Sequence, residues 1–141
     1  RARGHARLVQ EEDGTVVVED LDRHVNAFVF LARDGFYDGV KFHRVVPGFV
    51  AQAGDPTGTG SGGPGYTLPL EPGTIPFERG AVGAARTNDP NSAGSQWFIT
   101  FGNASHLTGQ YTVFATVSAG MEVADCLAQG DAIIGIEIKE E

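Results

Sequence analysis

Val40-Lys41-Phe42-His43-Arg44-Val45-Val46-Pro47-Gly48-Phe49-Val50-Ala51-Gln52-Ala53 divides into two apolar runs around a Pro-Gly turn signal. β-Branched and aromatic residues favour a pleated, half-buried surface, so strands are expected at Val40–Val46 and Phe49–Ala53. Side chains alternate along a strand, which puts Arg44 on the face of Val40, Phe42 and Val46 and leaves Lys41, His43 and Val45 on the other. An unpaired guanidinium on an apolar face would cost several kcal/mol. Either an acceptor such as the Gln52 side-chain carbonyl holds it, leaving other donors for a ligand, or the arginine snorkels out at a sheet edge.

Further strands are expected at Ala6–Gln10, Thr15–Asp20, Ala81–Ala84, Gln96–Phe101, Thr112–Val117 and Ala132–Ile138. Eight short strands favour a barrel or sandwich. Val25, Phe28, Val29 and Ala32 stand at i, i+3, i+4 and i+7 after Asp22, a helix N-cap residue, and Gly35 stops the pattern. Residues 22–34 are therefore read as an amphipathic helix. A weaker helical pattern runs from Gly120 to Gln129, with Met121, Ala124, Leu127 and Ala128 on one face and Gly130 as its stop. In Gln96–Phe101, Trp97, Ile99 and Phe101 read as core. Gln96, Phe98 and Thr100 face the other way, as the wall of a cleft or as a half-covered sheet face.

The chain has 141 residues, enough for one domain (residues 1–141) with a single core. Twenty glycines are about twice the usual share, while hydrophobic residues hold at 41%, a profile of an all-β or loop-rich globule. The net charge of −8 gives no basic surface for phosphates, so no nucleic-acid partner is expected. No apolar run approaches the roughly 20 residues that span a bilayer, so no membrane partner is expected either. No signal-like segment opens the chain, and the expected compartment is the cytoplasm unless a targeting segment preceded Arg1.

Cys126 is the single cysteine and no Cys/His spacing suggests a zinc site, so no metal is expected. Gly58-x-Gly60-x-x-Gly63 matches a dinucleotide loop literally, but Pro64-Gly65 follows where a helix should open, so the match is weak. No Gly-x-Ser-x-Gly elbow anchors a hydrolase triad. His5 and His24 are read as surface residues. The long loops 54–65 and 86–95 are rich in residues that set specific turns, and such loops often carry function.

Phe42 to Asp55 resembles the signature segment of the cyclophilins, the peptidyl-prolyl cis-trans isomerases. Asn91-Ser92-Ala93-Gly94-Ser95-Gln96-Trp97-Phe98-Ile99-Thr100 and Leu107-x-Gly109-x-Tyr111-Thr112-Val113-Phe114-Ala115 resemble that family's next two motifs, and the likeness runs from about Ala6 to Ile138. The resemblance implies a mainly β protein, a closed eight-stranded antiparallel barrel capped by two α-helices. It implies Arg44 as the catalytic arginine, Gln52 as its orienting partner, and Phe49, Val50, Phe98 and Leu107 as the pocket for a prolyl ring. Gln96, Arg86 and the backbone around Thr87 and Asn88 would bind the peptide flank, with His43, His106 and Tyr111 at the rim. No cofactor is implied. The expected partners are proline-containing peptides and unfolded protein clients, with weak binding of cyclosporin, and the chain is expected to be a monomer. A noncatalytic module that only holds prolyl segments is the alternative.

The sequence departs from the family pattern in several places. Val18-Glu19-Asp20-Leu21-Asp22-Arg23 lacks the usual proline-containing turn. Val50 stands where methionine is common, Tyr111 where many members have histidine, and Arg86-Thr87 where many have Ala-Asn. His106 occupies the position that is tryptophan in cyclosporin-sensitive members.

Overall fold

Apolar runs bounded by turn residues form strands β1 (Gly4–Val9), β2 (Gly14–Val18), β3 (Arg44–Val46), β4 (Val50–Ala53), β5 (Ala81–Ala84), β6 (Trp97–Thr100), β7 (Val113–Ala119) and β8 (Gly135–Glu140). Two helices, α1 (Asp22–Arg33) and α2 (Met121–Ala124), accompany them. The computed structural model describes residues 4–9, 14–18, 22–71 and 75–140. Gln10, Glu19 and Asp20, where two strands were expected to end, and most of the turn before α1 lie outside the described residues.

One antiparallel sheet runs in the order β3-β4-β6-β5-β7-β2-β1-β8. It is mainly β, as expected, but not the expected closed barrel: β3 and β8 share no ladder. The two margins are tied ahead of both strands instead. Gly39 and Phe42 donate their backbone N–H groups to Ile133 and Asp131, and Ile133 and Gly130 donate back to Val40 and Phe42. Those four bonds, with the single bridge Lys41–Ala132, occupy the backbone that would have extended β3 toward residue 40. The expected strand Val40–Val46 is thus cut to Arg44–Val46. The second helix is also shorter than its pattern: after Ala124 the chain continues in i→i+3 turns, from Cys126 N–H to Val123 O and from Leu127 N–H to Ala124 O. Asp125 there is drawn into a two-pronged pair with Arg79 at 2.8 and 2.6 Å.

The core has two parts, one on each side of β6. The apolar stripe of α1 (Val25, Phe28, Val29, Ala32) packs with Phe42, Trp97, Ile99 and Phe114. The Phe28 ring lies 5.5 Å from Phe114 and 6.2 Å from Trp97. Phe98, pointing the other way, joins Val50, Phe77, Ala81 and Val113 in the second cluster. Thr100 on that face is fully buried and donates its hydroxyl to Glu78 O, so this side is covered core rather than half-solvated sheet. Phe77 and Phe98 stack at 5.6 Å with 13° between their planes. Gly83 lies against both, and a Cβ there would come within 2.6 Å of Phe77 and 2.7 Å of Phe98. Glycine is required by this approach.

His24, expected at the surface, is 3% exposed. Its Nδ1 meets the Glu71 carboxylate, which also accepts the backbone N–H groups of His24 at 2.8 Å and Arg23 at 3.3 Å. A carboxylate 47 residues away thus satisfies the unpaired donors at the start of α1. Burial alone would raise the Glu71 pKa, but these hydrogen bonds outweigh it and hold the carboxyl below its ordinary value of 4.5. A depressed carboxyl contributes stability above its unfolded pKa and loses it as pH falls through the folded one. Glu71→Gln is therefore expected to lower stability at pH 7 by about 1–2 kcal/mol in urea unfolding, with the gap narrowing as pH falls below the ordinary carboxyl value of 4.5. A gap that persists unchanged at pH 3 would contradict this.

Candidate active site

The Pro47-Gly48 turn folds β3 back on β4, with Gly48 at φ 74° and Phe49 N–H bonded to Val46 O. The register sets Arg44 opposite Gln52 and Val46 opposite Val50. Arg44 Nη1 donates to Gln52 Oε1 at 3.4 Å, and its Cζ lies 6.0 Å from the Phe49 ring centroid. Arg44 does not share a face with Val40 and Phe42. Those two are buried in and beside the first core, whereas Arg44 is exposed and Val46 packs on the second cluster. Because residues 42 and 43 leave the ladder, alternation counted from Val40 does not carry through to Arg44.

Gln52 passes the arrangement on. Its Nε2 donates to Gln96 Oε1 at 3.0 Å, and Gln96 Nε2 donates to the carbonyls of Gly60 and Gly62, each at 3.0 Å. Those carbonyls belong to a loop folded round Asp55, which is fully buried. Its carboxylate accepts the Thr57 N–H and hydroxyl at 2.8 and 2.7 Å, the Thr59 N–H at 3.0 Å and the Gly60 N–H at 2.6 Å. Burial would raise the Asp55 pKa, yet these donors together with Gly62 N–H drive it far below the ordinary carboxylate range. A dinucleotide phosphate would need the same N–H groups, and among the described residues no helix follows the loop before β5. The glycine pattern here serves an internal carboxylate.

Two adjoining cavities open beside this chain of amides. The smaller, of 230 Å³, is lined by apolar and aromatic Phe49, Val50, Phe98, Leu107 and Tyr111 together with Arg44, Gln52, Ala85 and Arg86. The Tyr111 ring meets Phe98 nearly edge-on at 6.0 Å. The larger, of 710 Å³, is bounded by Gln52, Gln96, Arg86, Thr87, Ser92 and the loop from Gly60 to Thr67. Arg86 stands between them. Its guanidinium covers the Tyr111 ring at 4.4 Å, while Nε donates to Gln110 O at 2.9 Å and Nη1 to Thr87 O at 2.8 Å. Thr87 is held in turn by Ser92 Oγ.

Three expected residues stand outside the cavity walls. His106, on the 3-10 turn Ser105–Leu107, is exposed and stacks on Phe49 at 6.3 Å and 20°. His43 is half-buried beside Gly60, and Asn88 is exposed. The motifs gave no hint of Ala85, of the loop carbonyls that orient Gln96, or of Phe77 beneath Phe98. Thr57 and Thr59, placed two and four residues after Asp55, are the readable signal for the pinned loop.

The family model for cyclophilin type peptidyl-prolyl cis-trans isomerases matches residues 11–137. Peptidyl-prolyl cis-trans isomerase B of Bacillus subtilis is 45% identical over 114 residues, covering 79% of this chain and 79% of that protein. A peptidyl-prolyl cis-trans isomerase of Synechococcus elongatus is 39% identical over 137 residues, 93% of this chain and 94% of its own length. A crystal structure of a cyclophilin type isomerase from Cryptosporidium parvum superposes with a TM-score of 0.90 at 26% identity, over 99% of both chains. The same protein in the presence of the dipeptide Ala-Pro gives 0.88 over 98% of this chain and 100% of that one.

Proposed function

The chain belongs to the cyclophilin-type peptidyl-prolyl cis-trans isomerases, and from that membership we propose how its two cavities act on an X–Pro bond. The 230 Å³ cavity takes the prolyl ring against Phe98, Val50, Phe49 and Leu107. Arg44 faces the amide, and the 710 Å³ cavity takes a flanking residue. The substrates are prolyl peptides and unfolded clients. No bond is made or broken. Amide resonance sets a rotation barrier of about 18–20 kcal/mol, and X–Pro exchange takes tens to hundreds of seconds unaided.

In the twisted transition state the proline nitrogen loses conjugation and its lone pair becomes an acceptor. A guanidinium aimed there stabilises the twist more than the planar ground state. Gln52, bonded to Arg44 and fixed through Gln96 to the Gly60–Gly62 loop, keeps the donor in place without competing for all of its protons. Each tenfold in rate needs about 1.4 kcal/mol of such differential binding, so a hundred-thousandfold enhancement asks for about 7.

The observation that carries this assignment is the position of Arg44, the cation paired with Gln52 in the lining of an aromatic-walled cavity of 230 Å³. A protease-coupled assay on an Ala-Pro peptide tests it. Acceleration that saturates with peptide supports the assignment; tight binding without acceleration would make the domain a holder of prolyl segments.

His106 bears on drug binding. Tryptophan at this place would present a larger apolar face and an N–H donor over Phe49, where imidazole presents a smaller, more hydrated ring. Cyclosporin is expected to bind weakly, and His106→Trp to strengthen binding about ten- to a hundredfold in calorimetric titration, with the turnover of short peptides far less affected. Equal affinities of the two proteins would show that this rim position does not set sensitivity.

A further inference from the structure

We propose that Arg86 makes this isomerase selective for prolyl sites flanked by a carboxylate side chain within two residues of the proline. The inference rests on the assignment of the 230 Å³ cavity to the prolyl ring and deepens it. Arg86 belongs to both cavities, so a charge on its guanidinium is presented to the part of a peptide that leaves the ring pocket. Adjacent cavities that share Gln52, Ala85 and Arg86 are bridged by very little chain. An extended peptide advances about 3.3–3.6 Å per residue, which limits the reach to one or two residues from the proline.

The guanidinium is built in before any ligand arrives. Tyr111 lies under its plane, and the carbonyls of Gln110 and Thr87 take Nε and Nη1. Nη2 donates to nothing among the described residues, and none of the carboxylates there pairs with Arg86. A fixed planar cation with donors to spare matches a carboxylate and loses little side-chain freedom on binding it. The neighbouring Arg44 adds positive charge, but it is committed to Gln52 and the reacting amide. The chain as a whole carries −8, so the general field repels an acidic peptide. Any preference for acid must therefore come from the site itself.

The test compares X–Pro peptides carrying glutamate or glutamine at each of the two positions on either side of the proline, in exchange NMR at low and high salt. The expected kcat/KM is about three- to tenfold higher for glutamate at one or more positions, falling toward parity at 0.5 M salt. In Arg86→Gln, and in Arg86→Met as a second variant, the glutamate-to-glutamine ratio is expected to fall to about one whatever the absolute activity. Parity in the wild-type protein at all four positions would overturn the proposal, as would a ratio that survives in both variants. Failure of the glutamine peptides to turn over at all would instead count against the isomerase site. The same peptide pairs then compared by NMR titration decide the carboxylate preference as binding.

Discussion

Trp97→Ala and Phe98→Ala, neighbours on one strand, are expected to fail in different ways. Trp97 is buried in the first core against Phe28, Tyr37 and Phe42. Removing the indole leaves a cavity there and costs about 3–5 kcal/mol, a large part of the 5–15 kcal/mol that holds a domain together. Phe98 is also buried, stacked on Phe77, and its truncation costs a similar amount. The difference lies in activity per folded molecule. Phe98 lines the ring cavity and Trp97 does not, so kcat/KM normalised to folded protein is expected to drop tenfold or more in Phe98→Ala and less than about threefold in Trp97→Ala. Urea unfolding gives the stabilities, and Phe98→Leu keeps the test alive if the alanine variant does not fold. A stable but inactive Trp97→Ala would place the ring pocket on the wrong side of β6.

Arg44→Ala is expected to lower kcat/KM at least about tenfold, the loss of 1.4 kcal/mol or more of transition-state stabilisation, while the unfolding midpoint scarcely moves. The side chain is exposed and makes one long hydrogen bond, so little stability depends on it. Arg44→Lys is expected to remain impaired, since a point charge cannot reproduce the planar fork that the proposed role requires beside Gln52. If the guanidinium acts mainly on the transition state, kcat should carry most of the loss and KM little of it.

Local patterning was readable wherever the backbone kept its period. The α1 stripe at Val25, Phe28, Val29 and Ala32 packs into the core as its spacing requires, and the alternation of Trp97, Phe98 and Ile99 sorts those side chains onto opposite sides of β6. The same logic misplaced Arg44. Phe42 bonds across to Asp131 and Gly130 instead of continuing the β3 ladder, and that pairing depends on residues some ninety positions downstream. His24 was misread for a related reason. A lone histidine near a helix start gives no sign that Glu71 will cover it. Sheet closure likewise depends on how two margins meet, which strand patterning does not encode.

The motif residues stand far apart in the chain, and most of them line two adjoining cavities. Arg44, Phe49, Val50, Gln52, Phe98, Leu107 and Tyr111 all meet at the smaller one. Three things hold them there: the Asp55-pinned loop behind Gln96, signalled only by Thr57 and Thr59, and, with no motif of their own, the Phe77 ring under Phe98 and the carbonyls that fasten Arg86 over Tyr111. They are supporting contacts, set by tertiary packing.

The most direct measurement is two-dimensional exchange NMR on an Ala-Pro peptide at equilibrium, with catalytic amounts of wild-type protein and of Arg44→Ala. Cis–trans cross-peaks are expected within the mixing time for the wild-type protein, and an exchange rate at least about tenfold lower for a variant whose fold is intact. Equal exchange rates for the two folded proteins would contradict it, because the twisted amide would then be stabilised by something other than Arg44.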